Sequence, residues 1–346
     1  VPHPSPTPTP PPPYRRIREA GYRIGRLEPG PHNAITDVAG VLVGHTTLLD
    51  DRRGVYSGVT AVVPTALREH RALSAGFHLG NGYGKFVGAT QIMELGEIET
   101  PVLLTSTLST FRVADALVGW LLEHADRPLT SVNPVVGEIN DSWLSAADPR
   151  PVTEADVRAA LDGATGGPVA MGNVGGGTGA CALGFKAGIG TASRRLEIAG
   201  RPATAGVLVQ ANFGGELRLP GRTVTPGQLG LPTAGHIPDR GSCVVLIALD
   251  LPCPARQLER IAARGVLALG RVGASYSHGS GDYALAFAAE PSQAPRQLPP
   301  AELNAVFTAV LDATEEAVLD ALLAAATIHT PTGRHAPALP HTALAG

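Results

Sequence analysis

Several large function classes leave marks that this chain does not carry. The formal net charge is only −3, which argues against nucleic acid as a partner. No apolar run approaches the ~20 residues that span a bilayer, so no membrane segment is expected. The 3 cysteines, Cys181, Cys243 and Cys253, have neither CxxC spacing nor histidines clustered around them, which argues against a zinc site and a disulfide framework. None of the 11 histidines is spaced as H-x-x-x-H or H-E-x-x-H. His45, His78, His236 and His278 stand alone, and no metal is expected. The G-x-S-x-G turn of many serine hydrolases is missing, as is a G-K-[ST] phosphate loop. So is a basic-then-apolar secretory signal; the chain does not start on Met, so cytoplasm and periplasm (after loss of a leader) both stay open. Aromatics are 4% of the residues, leaving Ala and Val to fill the core.

What is present begins with thirteen residues dominated by proline, Val1–Pro13. They cannot build a core and read as an extended, polyproline-like tail reaching to about residue 19. From Ala34 the pattern turns to strands. Gly40–Thr47 and Gly58–Val63 are short β-branched runs bounded by turn residues. His78–Lys85 is so rich in glycine that it reads as a loop. A short helix near Ala89–Leu95 and a strand at Pro101–Thr105 precede a clear amphipathic helix over 109–124, with Ser109 or Thr110 as its cap. Further strands are expected at Asn133–Asp141 and Pro168–Val174, with a helix opened by Thr153 between them. Residues 187–213 read as a hairpin turning at Gly200-Arg201-Pro202. Pro254–Leu269 and Pro300–Ala325 are helical, Tyr283–Ala288 is a strand, and the last fifteen residues or so read as frayed. Strands and helices mix without strict alternation, so one α+β layered domain is expected over about residues 20–330.

The organising stretch is Gly241-Ser-Cys-Val-Val-Leu-Ile-Ala-Leu-Asp250. Cys243–Leu249 is an unbroken apolar run of strand length, and a strand without a polar face lies at the centre of a layered fold. Ser242 therefore sits at the doorway of a central strand, directly after the most permissive residue. Upstream, residues 219–238 are crowded with Pro and Gly and read as a surface loop. Three other local groups carry chemistry. Asn212 ends a strand. Tyr276–Tyr283 is a turn dense in hydroxyls that holds Ser280 and Asp282. Glu138 is a carboxylate near the end of an apolar strand. The run Gly175-Gly-Gly-Thr-Gly-Ala180 matches a dinucleotide fingerprint only loosely, because residues 182–190 are too rich in glycine for the required helix. It reads as a series of tight turns, or as a nest of backbone N–H groups near a developing oxyanion. No cofactor is expected.

Together these stretches resemble the L-aminopeptidase/D-esterase family, which includes the β-peptidyl aminopeptidases. The resemblance covers about residues 20–325. It rests on Ile35–Thr47, Asn81–Lys85, Val135–Asp141, Gly172–Gly179, Val209–Gly214, Gly241-Ser242 and Gly279–Asp282, in that order along the chain.

The resemblance implies an α-β-β-α sandwich like that of the N-terminal-nucleophile hydrolases. It implies a chain that cuts itself at Gly241-Ser242, leaving residues 1–241 and 242–346. Ser242 then becomes the nucleophile and Asn212 an oxyanion donor. Ser280 and Asp282 become the supporting pair, and Glu138 the anchor of the substrate's free amine. Trp143 stands where the resemblance leads one to expect a tyrosine, and it joins Glu138 as a substrate-binding candidate. The expected partners are small peptides, amides or esters with a free amine, and further copies of the cut chain in a homo-oligomer, a tetramer. Freeing Ser242 would create an α-amine with a reference pKa of ~7.7–8.0, which makes a histidine dispensable as base. The residues leave open whether that amine or the Ser280/Asp282 pair takes the proton. Other outcomes of the same motif also stay open. Self-cleavage before serine can leave a pyruvoyl group, as in some decarboxylases, and related acetyltransferases cut before a threonine. A non-catalytic binding protein would keep its chain intact.

Overall fold

An apolar run with no polar face has to lie between two layers, and the whole architecture is arranged around one such run. The computed structural model describes residues 16–69, 72–125, 128–145, 150–219, 221–232, 241–290 and 295–344. The first half of the chain supplies β1 (Val41–Asp50), β2 (Val55–Pro64), β3 (Leu73–Gly82), β4 (Phe86–Val87), α1 (Ala89–Leu95), β5 (Glu97–Ile98), β6 (Val102–Ser106), α2 (Thr110–His124), β7 (Val135–Ile139) and α3 (Glu154–Asp162). A small hairpin, β8 (Cys181–Ala182) with β9 (Phe185–Lys186), leads to the long hairpin of β10 (Ile189–Ile198) and β11 (Arg201–Gln210). After the minor strands β12 (Leu217–Leu219) and β13 (Arg222–Val224) come β14 (Ser242–Leu249), α4 (Ala255–Leu269), β15 (Gly281–Ala288) and α5 (Pro300–Leu323). A last short hairpin joins β16 (Ile328–His329) to β17 (His335–Ala336).

Two sheets face each other. One has the order β1-β2-β6-β7-β4 and the other β10-β11-β14-β15-β3-β5. Between them lies an apolar layer that includes Val62, Leu104 and Val135 from the first sheet and Val244, Leu246 and Leu285 from the second. Helices α2 and α3 cover the outer face of the first sheet, burying Val113, Leu117, Val157 and Leu161 against Val59, Leu103 and Val136. Helices α4 and α5 cover the second, burying Leu258, Ile261, Val310 and Val318 against Val207, Val245 and Ala284. The result is an α-β-β-α sandwich. Along β14 the side chains alternate between these layers: Val244, Leu246 and Ala248 enter the inter-sheet core, Cys243, Val245, Ile247 and Leu249 the helix side. All eight residues of β14 are buried, as the run without a polar face required. The Thr153 cap of α3 also forms, as a capping box with Asp156.

Four expectations need correction. His78–Lys85 is not wholly loop, because β3 runs to Gly82 and pairs with β15 from Gly281 to Phe287. Its glycines are there for contact: a Cβ at Gly76 would lie 2.0 Å from the backbone N of Glu259 in α4, and one at Gly80 would lie 2.5 Å from Val266. Glycine lowers strand propensity when judged locally, but here it lets a helix lie directly on the sheet. Second, Pro168–Val174 forms no strand. It makes one bridge, Gly172 to Ile189, and Gly172 adopts φ 78° against the end of α5.

Third, residues 1–15 of the expected tail lie outside the described residues, but Arg16–Glu19 do not trail. Ile17 is fully buried. Arg16 pairs with Asp320 at 2.7 Å and Arg18 with Glu316 at 2.9 Å, beside the buried Arg194–Glu316 pair at 2.6 Å. Charge patterning on α5 alone could not reveal partners about 300 residues away. Fourth, the C-terminal residues pack down to Ala343 and Leu344, both buried. Of the loop expected over 219–238, residues 220 and 233–238 lie outside the described residues; the rest contains β13. Among the described residues no helix is long and apolar enough to cross a membrane.

The contact between α4 and β3 yields a direct check. Gly76→Ala should force the helix off the sheet and cost at least the ~1–3 kcal/mol typical of an overfilled core, read as a fall of several degrees in Tm. Gly227→Ala, where nothing lies within 4 Å, should leave Tm unchanged. Equal melting of the two variants would remove the close-packing explanation.

Candidate active site

Parallel pairing of β14 with β15 sets Ser242 directly opposite Gly281. The Ser242 N–H donates to the Asn212 carbonyl at 2.6 Å, and its Oγ accepts from the Gly281 N–H at 3.3 Å. Ser242 is buried at 4% exposure. Gly241, just before it, presses on the chain beyond β11: a Cβ there would lie 2.3 Å from the Asn212 carbonyl and 2.6 Å from Phe213 Cα. Close approach is what this glycine serves.

One strand over, the Ser280 hydroxyl donates to Asp282 Oδ1 at 2.7 Å, and both residues are buried. A register shift between Asp282 and Tyr283 interrupts the pairing of β15 with β3 at this point, as a bulge beside a functional site often does. The turn before it is tied down by Tyr83 N–H to the Ser280 carbonyl at 3.2 Å and by Asn81 Nδ2 to the Ser277 carbonyl at 2.6 Å. Asn212 lies two residues past β11. Its Oδ1 accepts from the Cys181 N–H at 2.9 Å, and its Nδ2 donates to the Asn140 carbonyl at 3.2 Å. The Asn212 side chain thereby connects Ser242's strand to the end of β7, where Glu138 stands.

Glu138 is 1% exposed. Its Oε1 accepts from the Lys85 N–H at 2.9 Å, while Oε2 is buried and makes no hydrogen bond among the described residues. Burial pushes its carboxyl above the usual range, with Lys85 and the Thr107 hydroxyl opposing the shift. Gly84 leaves the space: a Cβ there would lie 2.5 Å from Glu138 Oε1 and 3.2 Å from the Tyr283 hydroxyl. The structure thus brings Ser242, Asn212, Ser280, Asp282 and Glu138 to one end of the two facing sheets. Trp143 is less closely tied to them. Its ring packs against the cluster of Tyr56, Leu144, Cys181, Ile328 and Ala336, under the Arg334 guanidinium 4.8 Å away. The N–H nest does not form as an open cradle. The amides of Gly175 and Gly176 donate to the Thr47 and Thr60 hydroxyls, and those of Gly177, Thr178 and Ala180 close turns.

Two buried groups do not stand out from the sequence. Asp141 accepts from the Ser57 hydroxyl at 2.7 Å, and burial pushes its carboxyl up to about 7. Lys186 is fully buried, and burial lowers its pKa to about 8, with Cys181 and Asp141 opposing. Asp141 closes the Val135–Asp141 block, where its position was the available signal. Lys186 lies in a run conspicuous only for its glycines.

The profile of peptidase family S58 matches residues 33–336. The chain belongs to peptidase family S58. This S58 peptidase is 38% identical over 348 residues to the β-peptidyl aminopeptidase BapA of Sphingosinicella microcystinivorans, covering 92% of this chain and 88% of that protein. A second BapA, from Sphingosinicella xenopeptidilytica, is 37% identical over 92% of this chain and 87% of its own length. Among solved structures, a β-aminopeptidase of a Burkholderia species superposes with TM-score 0.85 at 38% identity, over 95% of this chain and 97% of that one. The L-aminopeptidase D-Ala-esterase/amidase of Ochrobactrum anthropi matches with the same TM-score and coverages at 37% identity. It is described as a prototype of the serine aminopeptidases and a variant of the Ntn hydrolase fold. The S58 chain is accordingly a self-processing serine aminopeptidase with that fold.

The raised Asp141 carboxyl makes the stability of this S58 peptidase depend on pH. Between about pH 4 and about pH 7 the native state holds a proton that the unfolded chain has released. Stability from this group is therefore present at low pH and lost as pH rises through about 7. Asp141→Asn keeps an acceptor for Ser57 and abolishes the titration. Its Tm should fall less than that of the wild type between about pH 5 and about pH 8 in paired melts. Parallel falls would show that Asp141 is ionised throughout.

Proposed function

We propose that this peptidase cuts its own chain between Gly241 and Ser242, and that the freed Ser242 releases N-terminal residues from small peptides, amides or esters through an acyl-enzyme. The observation that carries this reading is the placement of Ser242. It begins the central strand, with its Oγ facing the Gly281 N–H and the hydrogen-bonded Ser280–Asp282 pair beside it.

A serine hydroxyl needs a base, and the cut supplies one on the same residue. The Ser242 nitrogen is held by the Asn212 carbonyl at 2.6 Å. As an amine it keeps that bond and gains a lone pair near its own Oγ. With a reference pKa of ~7.7–8.0, it is poised to take the Oγ proton as Oγ attacks the substrate carbonyl, and to pass it to the leaving amine or alcohol. Water then repeats the sequence on the ester and restores Ser242. In this reading Asn212 Nδ2 meets the negative oxygen of the tetrahedral intermediate, and the Ser280–Asp282 pair orients the proton transfers. Glu138 Oε2 pairs with the substrate ammonium, with Trp143 and its Arg334 cover bounding the site on the Cys181 side. Assembly of the cut chains into a homo-oligomer belongs to the same proposal.

Two measurements test it. Wild-type protein should resolve by mass spectrometry into residues 1–241 and 242–346 with a free α-amine on Ser242, and Ser242→Ala should stay full length. A blocked amino terminus on the smaller piece would point instead to a pyruvoyl group, and an intact wild-type chain would rule out the cut. The amine anchor is tested separately. An amide substrate with a free amine should turn over at least ~10-fold better than its N-acetylated copy, since a charged hydrogen bond contributes about 1.5–3 kcal/mol. Glu138→Gln should erase most of that preference and leave the self-cut in place. Equal rates on the two substrates would leave a hydrolase that does not select for the amine.

A further inference from the structure

The proposed reaction leaves one fully buried cation without a task. Arg194 and Lys186 both have no exposed surface, and Arg194 is accounted for by its pairing with Glu316 at 2.6 Å. Lys186 Nζ instead donates to main-chain carbonyls: Ala180 at 2.8 Å, Ala187 at 2.5 Å and Gly177 at 3.5 Å. No carboxylate is hydrogen-bonded to it among the described residues, and only Cys181 and Asp141 act against the burial that disfavours its charge. Keeping an ammonium in such a place costs free energy that a methionine of similar length would not incur. Filling volume therefore does not explain it.

What Lys186 holds does explain it. On the β8–β9 hairpin it pairs in register with Cys181. The Ala180 carbonyl that it grips belongs to the same peptide group as the Cys181 N–H, and that N–H holds Asn212 Oδ1 at 2.9 Å. A cation on the oxygen of a peptide fixes the plane of that peptide and polarises its N–H into a stronger donor. A strong donor on Oδ1 settles which end of the Asn212 amide faces outward, namely Nδ2, whose present bond to the Asn140 carbonyl is long at 3.2 Å. An amide turned the other way would present an oxygen where negative charge develops.

We propose that Lys186 is a positioning residue for the oxyanion donor. Through the Ala180–Cys181 peptide it holds Asn212 with Nδ2 toward the reacting carbonyl. This rests on the reading of Asn212 as that donor, and the test separates the two.

The experiment is a kinetic double-mutant cycle of Lys186→Met, Asn212→Ala and the double variant, with rates normalised to the cut fraction measured by mass. Where a variant matures slowly, its rate of self-cutting is read in the same cycle. Lys186→Met should lower kcat by ~10²-fold, the scale of losing one oxyanion donor, with KM within about 3-fold. In the Asn212→Ala background the same change should cost less than about 3-fold, because the two act as one unit. Lys186→Gln, which returns a neutral donor to the carbonyls, should recover part of the lost kcat and takes the place of Lys186→Met in the cycle if the latter does not fold. Undiminished kcat in Lys186→Met, or equal losses in both backgrounds, would overturn the proposal. So would failure of both variants to fold, which would make Lys186 a folding residue. Asn212→Ala alone within a few-fold of wild type would instead remove the oxyanion reading of Asn212.

Discussion

Two parallel strand pairs, one in each sheet, hold the site together. The larger sheet is antiparallel at every junction except β14–β15, and the pairs involving β6 in the smaller sheet are antiparallel to β2 but parallel to β7. Parallel strands start at the same edge, so Ser242 and the Ser280–Asp282 pair stand side by side. Were β14 and β15 antiparallel, the first residue of one would face the last of the other. Eight residues at ~3.3 Å each would then part the two groups by roughly 25 Å. Parallel pairing needs a crossover, and the crossovers here are α4 and α2, which also form the outer layers. In the smaller sheet the same arrangement brings Thr107 beside Ile139, its N–H on the Ile139 carbonyl at 2.7 Å, so Glu138 arrives next to Lys85 and Thr107. Where these two edges meet, Asn212 spans the gap to Asn140.

Buried charge is handled in two ways in this molecule. On the helix side of the large sheet, Glu316 is met by Arg18, Arg194 and the Asn33 amide, with bonds of 2.6–2.9 Å. Near Ser242, Glu138 and Asp141 are buried with no arginine or lysine in hydrogen bond to their carboxylates through a side chain among the described residues, and both are pushed toward protonation. A paired network stabilises and is inert. Carboxylates held short of partners are poised to receive a cationic group from outside or to hold a proton. That contrast separates the candidate site from the ion-pair network on α5.

How far this could be read from the sequence depended on whether the deciding contact was local. The apolar run of β14 and the Thr153 box of α3 each carry their reason within a few residues, and each is visible there; the β10–β11 hairpin is visible too, but its turn falls at Ala199-Gly200, with Arg201 and Pro202 already in β11. Leu73–Gly82 hides as a strand because its glycines answer to α4, some 180 residues later. Pro168–Val174 imitates a strand because its backbone is bent by the end of α5. At the site, Ser242, Ser280, Asp282, Asn212 and Glu138 are each ordinary in isolation. Their order along the chain, matched to a family, is what draws them together. Lys186 stays hidden because its partners are backbone carbonyls, which no side-chain pattern reveals.

The arginines of the N-terminal segment acquire a second meaning under the proposed cut. Arg16 and Arg18 reach Asp320 and Glu316 across 304 and 298 residues of sequence, and Arg194 joins them from β10. Before the cut these are contacts within one polymer. Afterwards every one of them bridges two separate molecules, as do all the β11–β14 and β15–β3 ladder bonds. Unfolding then releases two bodies rather than one, with a gain in translational freedom that grows on dilution. Under that cut each unit would unfold as a heterodimer, with a melting point that depends on its own concentration.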